Sequence, residues 1–201
     1  MKRYVLTLLS TALAGCSTGL PIEKYNDLPA APQAFTLCHG YSCTHKSAAG
    51  FSAAEWDGVL AVFRSNPAKT AEAERAKIGQ AIALMERYSG ARTGTEDDDA
   101  EATGSKRNNM QLDCIDETIN TTYYIGFLQK ADALKFHEVA EPTHRGYIID
   151  GAWPHNTAVI RDTLSGELFV VDSFYRKNGE EPHIMPRAQW LAGWKPAGSK
   201  Q

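Results

Sequence analysis

The chain has 201 residues, 43% of them hydrophobic, enough to build one domain around a real core. Its 21 basic and 24 acidic side chains leave a net charge of −3, which excludes the basic footprint that nucleic-acid binding domains carry. It holds no internal repeat, so solenoid architectures are excluded as well.

Met1-Lys2-Arg3 precedes an apolar run from Tyr4 to Leu13, broken by Thr7, Ser10 and Thr11 and followed by the small residues before Cys16. A basic start, a short apolar middle and small residues at the end make a secretory signal. The run falls well short of the roughly 18 apolar residues that a spanning helix needs, so it reads as a removable address. Leu13-Ala14-Gly15-Cys16 resembles the lipobox of bacterial lipoproteins. That resemblance implies cleavage after residue 15, acylation of Cys16 with palmitate-type chains, and membrane anchoring. Ser17 in the next position, where Asp would retain such a protein at the inner membrane, implies the outer membrane, with the folded part facing the periplasm. Removal of residues 1–15 takes away Lys2, Arg3 and no acid, so the mature chain is more acidic still. Residues 16–35 hold three prolines and little periodicity and read as a spacer. Residues 36–201 are then expected to form a single domain.

The first motif of that domain is Cys38-His39-Gly40-Tyr41-Ser42-Cys43. A short glycine-containing turn between two cysteines of an exported protein reads as a small disulfide. The competing zinc site would need two more ligands, for which His39 and His45 are the neighbours in sequence. Ser52-Ala53-Ala54-Glu55 is a capping box with Trp56, Val59, Leu60 and Phe63 at helical spacing behind it, which predicts an amphipathic helix over 53–64. A second helix follows Pro67, carries Ile78, Ile82 and Met85 on one stripe, and is expected to stop near Gly90. Residues 94–101 read as a solvated acidic loop. Asp113-Cys114-Ile115-Asp116 opens a third helix, to about Lys130. Its Ile115, Ile119, Tyr123, Ile125, Phe127 and Leu128 leave almost no polar face, so it should lie buried. From Gly146 the pattern changes to short β-rich runs at 146–149, 157–160 and 168–171, and 186–194 closes the chain with a short helix. Helices followed by an antiparallel sheet predict an α+β fold.

With Cys16 acylated and Cys38 bridged to Cys43, Cys114 is left without a partner, and an unpaired thiol in an exported protein calls for an explanation. Asp113 is placed to cap the helix that Cys114 begins. A helix N-terminus presents free N–H groups and partial positive charge, which favour a thiolate and can hold an oxyanion. A cysteine nucleophile also needs a histidine to carry the proton and a polar group to orient the ring. His155 starts one predicted strand and Asp172 ends the next. A hairpin through Ser165-Gly166 would bring the two to the same end of the sheet.

The order Cys, His, Asp on helix, strand and strand resembles the papain-like and transglutaminase-like folds, and the local text over residues 108–175 is most similar to the bacterial transglutaminase-like cysteine peptidases. Asp113, Cys114 and Asp116 match that family's cysteine stretch, His155 followed by Ala158-Val159-Ile160 its histidine strand, and Val170-Val171-Asp172 its aspartate strand. The resemblance implies Cys114 as nucleophile, His155 as general base and acid, and Asp172 as the orienting carboxylate. It also implies a calcium ion held by acids flanking the cysteine, with Asp113 and Asp116 as helix cap or ion ligands. Ile115 stands where one such acid is expected, which weighs against calcium, and no other cofactor is implied.

The expected function is a thiol hydrolase or transferase acting on an amide or peptide bond of an envelope protein. Two other readings compete with it. The cell-wall hydrolases of the NlpC/P60 group also open a helix with Asp-Cys and carry histidine on a strand, which would make peptidoglycan the substrate, but this chain has Ile115-Asp116 in place of their Ser-Gly. A non-catalytic lipoprotein binding a partner protein or glycan would keep the fold without the chemistry. His39, His45, His137, His144 and His183 read as surface or structural residues, Asp116 and Glu117 as complements to the helix dipole, and Trp153, Pro154 and Tyr175 as packing or a substrate groove.

Overall fold

The computed structural model of the chain describes residues 28–29, 31–102, 109–146 and 154–200. Residues 1–27, with the signal and Cys16, Trp153, and the β-rich run expected at 146–149 apart from Gly146, lie outside these residues. In chain order the elements are β1 (Phe35–His39), β2 (His45–Ala49), α1 (Ala53–Arg64), α2 (Ala71–Thr93), α3 (Cys114–Lys130), β3 (His137–Arg145), β4 (His155–Asp162), β5 (Leu168–Asp172), β6 (His183–Pro186) and α4 (Arg187–Leu191). β1 and β2 form an antiparallel hairpin, and β3-β4-β5-β6 a separate antiparallel sheet. The class is α+β, with the expected sheet after the helices and an unexpected hairpin before them.

The helices start where the sequence places them because their caps are local. Ser52 Oγ accepts from Glu55 N–H while Glu55 Oε2 accepts from Ser52 N–H, closing the first turn of α1. Thr70 does the same for α2 from one side, accepting from Ala73 N–H at 3.1 Å. The end of α2 differs from the expected stop at Gly90. Gly90 is a close-approach residue, since a Cβ there would come within 2.9 Å of Asn178 Nδ2, and the helix runs on to Gly94, whose φ of 80° makes it the left-handed cap.

α3 is the central element. Ile119, Ile125, Phe127 and Leu128 are buried, and Tyr124 and Phe127 join Phe35 and Phe51 in an aromatic cluster with centroid distances of 5.2 to 6.2 Å. Asn120 binds the backbone of β1 edge-on, accepting from Cys38 N–H and donating to Cys38 O, both at 2.9 Å. On the other side α3 meets the sheet. Ala158, Ile160, Phe169 and Val171 point into this core, while the alternate residues Val159 and Val170 pack with Met185 and Trp190 on the opposite face, under α4.

β3 escapes a sequence reading because it is an edge strand of polar composition, and β6, the other edge, because a run of 4 residues is too short to show alternation. β3 (HEVAEPTHR) includes Pro142, and its register shifts between Ala140 and Thr143. An edge strand tolerates proline and a bulge there because its outer N–H groups have no ladder to join.

Glu74, in the first turn of α2, is buried and accepts from the N–H groups of Lys135, Phe136 and His137 and from His137 Nδ1, at 2.6 to 3.0 Å. Burial by itself would raise this carboxyl, but the His137 ring and those amides outweigh it and hold it below its ordinary value of 4.5. Its contribution to stability is therefore present above pH 4.5 and lost as pH falls through the depressed folded value. Glu74→Ala strands these donors in the interior and should cost about 3 kcal/mol in urea unfolding at pH 7. A loss below about 1 kcal/mol would show that water replaces the carboxylate.

Candidate active site

The site begins with the first turn of α3. Asp113 is the cap residue: its Oδ1 accepts from the N–H groups of Ile115 and Asp116, each at 3.0 Å, and Asp116 Oδ2 reaches back to Asp113 N–H. The same two carboxylates hold the tip of the β1–β2 hairpin. Residues Gly40, Tyr41, Ser42 and Cys43 all have φ between 54° and 77°, a left-handed turn that aims successive N–H groups inward. Tyr41 N–H donates to Asp116 Oδ2 at 2.9 Å, Cys43 N–H to Asp116 Oδ1 at 2.6 Å, and Ser42 N–H to Asp113 Oδ2 at 2.9 Å. The Cys38–Cys43 disulfide closes this turn, as the spacing predicts, so these cysteines are not zinc ligands. His39 is structural, its ring between Asn109 O and Ser47 Oγ.

Both Asp113 and Asp116 thus spend all their oxygens on backbone N–H groups, a donor environment that suits a carboxylate and opposes a cation. The calcium ion implied by the family resemblance does not fit these two residues. Among the described residues no group of three or more His, Cys, Asp or Glu is arranged to hold a metal.

Cys114 is the first residue of α3, a free thiol of intermediate exposure. β4 and β5 pair antiparallel with Ala158 opposite Val171, which sets Thr157 opposite Asp172 and His155 two residues beyond it on the same face. The expected convergence follows. His155 Nε2 donates to Asp172 Oδ2 at 2.9 Å, with both side chains nearly excluded from water. Burial works against a charged ring, yet the Asp172 charge, its hydrogen bond and the neighbouring Cys114 sulfur together push His155 up to about 9. The other ring nitrogen, Nδ1, is buried and makes no hydrogen bond of normal geometry among the described residues.

A shell that the sequence does not reveal fixes this pair. Trp190 Nε1 donates to the same Asp172 Oδ2 at 2.7 Å, and its ring lies 5.4 Å from that of His155. Phe174 and Tyr175 complete the enclosure at 4.9 and 5.3 Å, so Tyr175 serves packing around the imidazole. Arg145, opposite His155 on β3, sits 4.1 Å over the Trp190 ring, donates to Trp190 O and reaches Tyr175 Oη at 3.3 Å. The signal for Trp190 was an aromatic residue in a terminal segment, with nothing in the local pattern to link it to Asp172. Asn156, the residue after His155, donates from Nδ2 to Cys114 Sγ at 3.8 Å, a contact that no local sequence pattern signals.

Beneath the site lie Glu86, Asp98, Asp116 and Glu117, all buried. Glu86 binds Ser173 Oγ and Gly179 N–H, and Asp98 accepts from Leu112 N–H. The acidic loop is solvated at Glu96 and Asp97 as expected but turns Asp98 inward, and Asp116 and Glu117 do more than complement the helix dipole, because tertiary packing covers their carboxyls. Burial, with neighbouring acids adding to it, pushes Glu86 and Asp116 up to about 7, Asp98 to about 8, and Glu117 well above the usual range. Raised carboxyls make the folded chain hold protons that the unfolded chain releases, so their effect on stability is best below about pH 4 and worsens as pH rises through 7 to 8. Glu117→Gln should therefore raise the melting temperature by about 3 °C at pH 8 and by little at pH 5. An equal shift at both pH values, or a loss at pH 8, would show that Glu117 is not carrying this repulsion.

No protein-family model, curated protein or solved structure matches the chain.

Proposed function

We propose that this chain is an exported, lipid-anchored thiol hydrolase or acyl transferase of transglutaminase-like, papain-like type, acting on an amide or peptide bond of an envelope protein. The observation that carries this reading is the His155–Asp172 pair, a buried imidazole held charged to about pH 9 beside the partly buried Cys114 at a helix N-terminus. An imidazole kept charged by a carboxylate and set beside a thiol is the arrangement that nucleophilic catalysis requires.

In this mechanism the Cys114 thiol proton passes to the His155 ring, whose charged form the Asp172 contact supports, and Sγ attacks the carbonyl carbon, the C–S bond forming as the carbonyl π electrons move to oxygen. Those electrons return to re-form the carbonyl as the C–N bond breaks, and His155 gives its proton to the leaving amine. Water or an acceptor amine, deprotonated by the now neutral ring, attacks the thioester and releases Cys114. Asp172 orients the ring throughout, and the Trp190 N–H fixes the oxygen that faces it. Because the folded value for His155 lies above 6.5, the ion pair stabilises the protein fully below pH 6.5 and is lost as pH rises through about 9.

Two measurements test the site. Iodoacetamide should alkylate Cys114 at pH 7 about tenfold faster in the wild type than in His155→Ala, and Asp172→Asn should also slow it. In imidazole NMR His155 should titrate near pH 9, with Asp172→Asn moving the midpoint down. A ring that titrates near 6.5, or labelling indifferent to His155, would leave a binding lipoprotein with an ordinary thiol. The anchor is tested separately. Cys16→Ser should abolish palmitate incorporation and move the protein from the membrane to the soluble fraction on cell lysis, whereas unchanged fractionation would remove the lipid from the account.

A further inference from the structure

His155 and Asn156 are neighbours in β4, and strand alternation sends their side chains to opposite faces. His155 goes to the Trp190 face, where Asp172 and the aromatic enclosure hold it. Asn156 shares its face with Ala158 and Ile160, the residues that pack into the core with α3. That side of the strand leads to the start of α3, where the Asn156 amide meets the Cys114 sulfur at 3.8 Å. A second donor waits at the same place. Asp113 takes the N–H groups of Ile115 and Asp116 with its carboxylate and that of Glu117 with its carbonyl, so the Cys114 N–H is left out of the cap among the described residues. The nucleophilic sulfur is thus flanked by two N–H donors from two elements, with the imidazole supplied from the other face.

We infer that the Asn156 carboxamide and the Cys114 backbone N–H together form the oxyanion pocket of the proposed hydrolase, Asn156 being the donor that serves the transition state. This inference rests on the proposed function and adds to it a catalytic residue of a different kind from the triad. When Cys114 Sγ attacks an acyl carbonyl, the oxygen that gains the electron pair lies within reach of groups that flank the sulfur. A neutral amide suits that task. It stabilises developing negative charge without taking or giving a proton, and its contact with the sulfur in the free protein keeps it oriented before substrate arrives.

Two reagents with different transition states separate this role from its rivals. p-Nitrophenyl acetate acylates a thiol through a tetrahedral oxyanion: the C–S bond forms, the carbonyl electrons move to oxygen, and their return expels p-nitrophenolate to leave an acetyl thioester. Iodoacetamide alkylates the same sulfur by displacing iodide and builds no oxyanion. With the full chain, and rates taken above a Cys114→Ser background, Asn156→Ala should slow acylation about 100-fold while changing alkylation less than about threefold. Asn156→Leu, of about the same size but lacking the amide donor, should show the same split, and a melting temperature within a few degrees of wild type certifies either variant as folded. Acylation at the wild-type rate in both variants overturns the inference alone. Equal slowing of both reagents also overturns it, because Asn156 would then only position the sulfur. A wild-type protein acylated no faster than N-acetylcysteine overturns the catalytic reading itself, and this inference with it.

Discussion

The first turn of α3 is held by two carboxylates that serve two pieces of backbone at once. Asp113 and Asp116 close the capping box of the helix and also bind the N–H groups of Tyr41, Ser42 and Cys43, which the disulfide gathers into a left-handed turn. A helix end with this many shared bonds cannot fray without unlacing the hairpin, and the hairpin cannot shift without exposing buried acids. Cys114 sits on that turn, so its position follows from the cap. The Asn120 clamp on Cys38 repeats the coupling one and a half turns further along, where the hairpin edge is read by a side chain in place of a strand.

The sheet supplies the other half of the site by a register argument. Pairing of Ala158 with Val171 places His155 and Asp172 diagonally on one face, and α4 then brings Trp190 over them. Arg145 at the end of β3 holds Trp190 and Tyr175 in turn, so the orientation of a single imidazole depends on three elements distant in sequence. Low-dielectric surroundings make each of these bonds stronger and each missing partner more costly. Asp172 Oδ1 and His155 Nδ1 are the exceptions, buried without a hydrogen bond of normal geometry among the described residues.

That cost extends to the acids below the site. Glu86, Asp98, Asp116 and Glu117 crowd into one interior, which opposes folding as pH rises, while Glu74 and His137 on the far side of the domain are fully paired and support it. Glu74 is held by three backbone N–H groups and a ring, whereas in the other group burial and mutual repulsion outweigh the hydrogen bonds that each acid makes.

Local order was readable from the sequence wherever a short-range rule governs it. The capping boxes at Ser52 and Asp113, the stripe of Ile78, Ile82 and Met85, the turn at Ser165-Gly166 and the cysteines five residues apart each act within one or two turns of chain, and the structure has them as expected. The convergence of Cys114, His155 and Asp172 was legible too, because strand alternation and a hairpin register are arithmetic on residue numbers. What the chain could not announce is anything that depends on how elements stack: that β3 is a strand despite polar composition and the short β6 its counterpart on the other edge, that Gly90 is a contact and Gly94 the stop, that the acidic loop turns Asp98 inward, and that Trp190 meets Asp172 and Asn156 meets Cys114. Propensity and capping are properties of neighbours in sequence, whereas burial, pKa and cross-element hydrogen bonds belong to surfaces that exist only after the layers have packed.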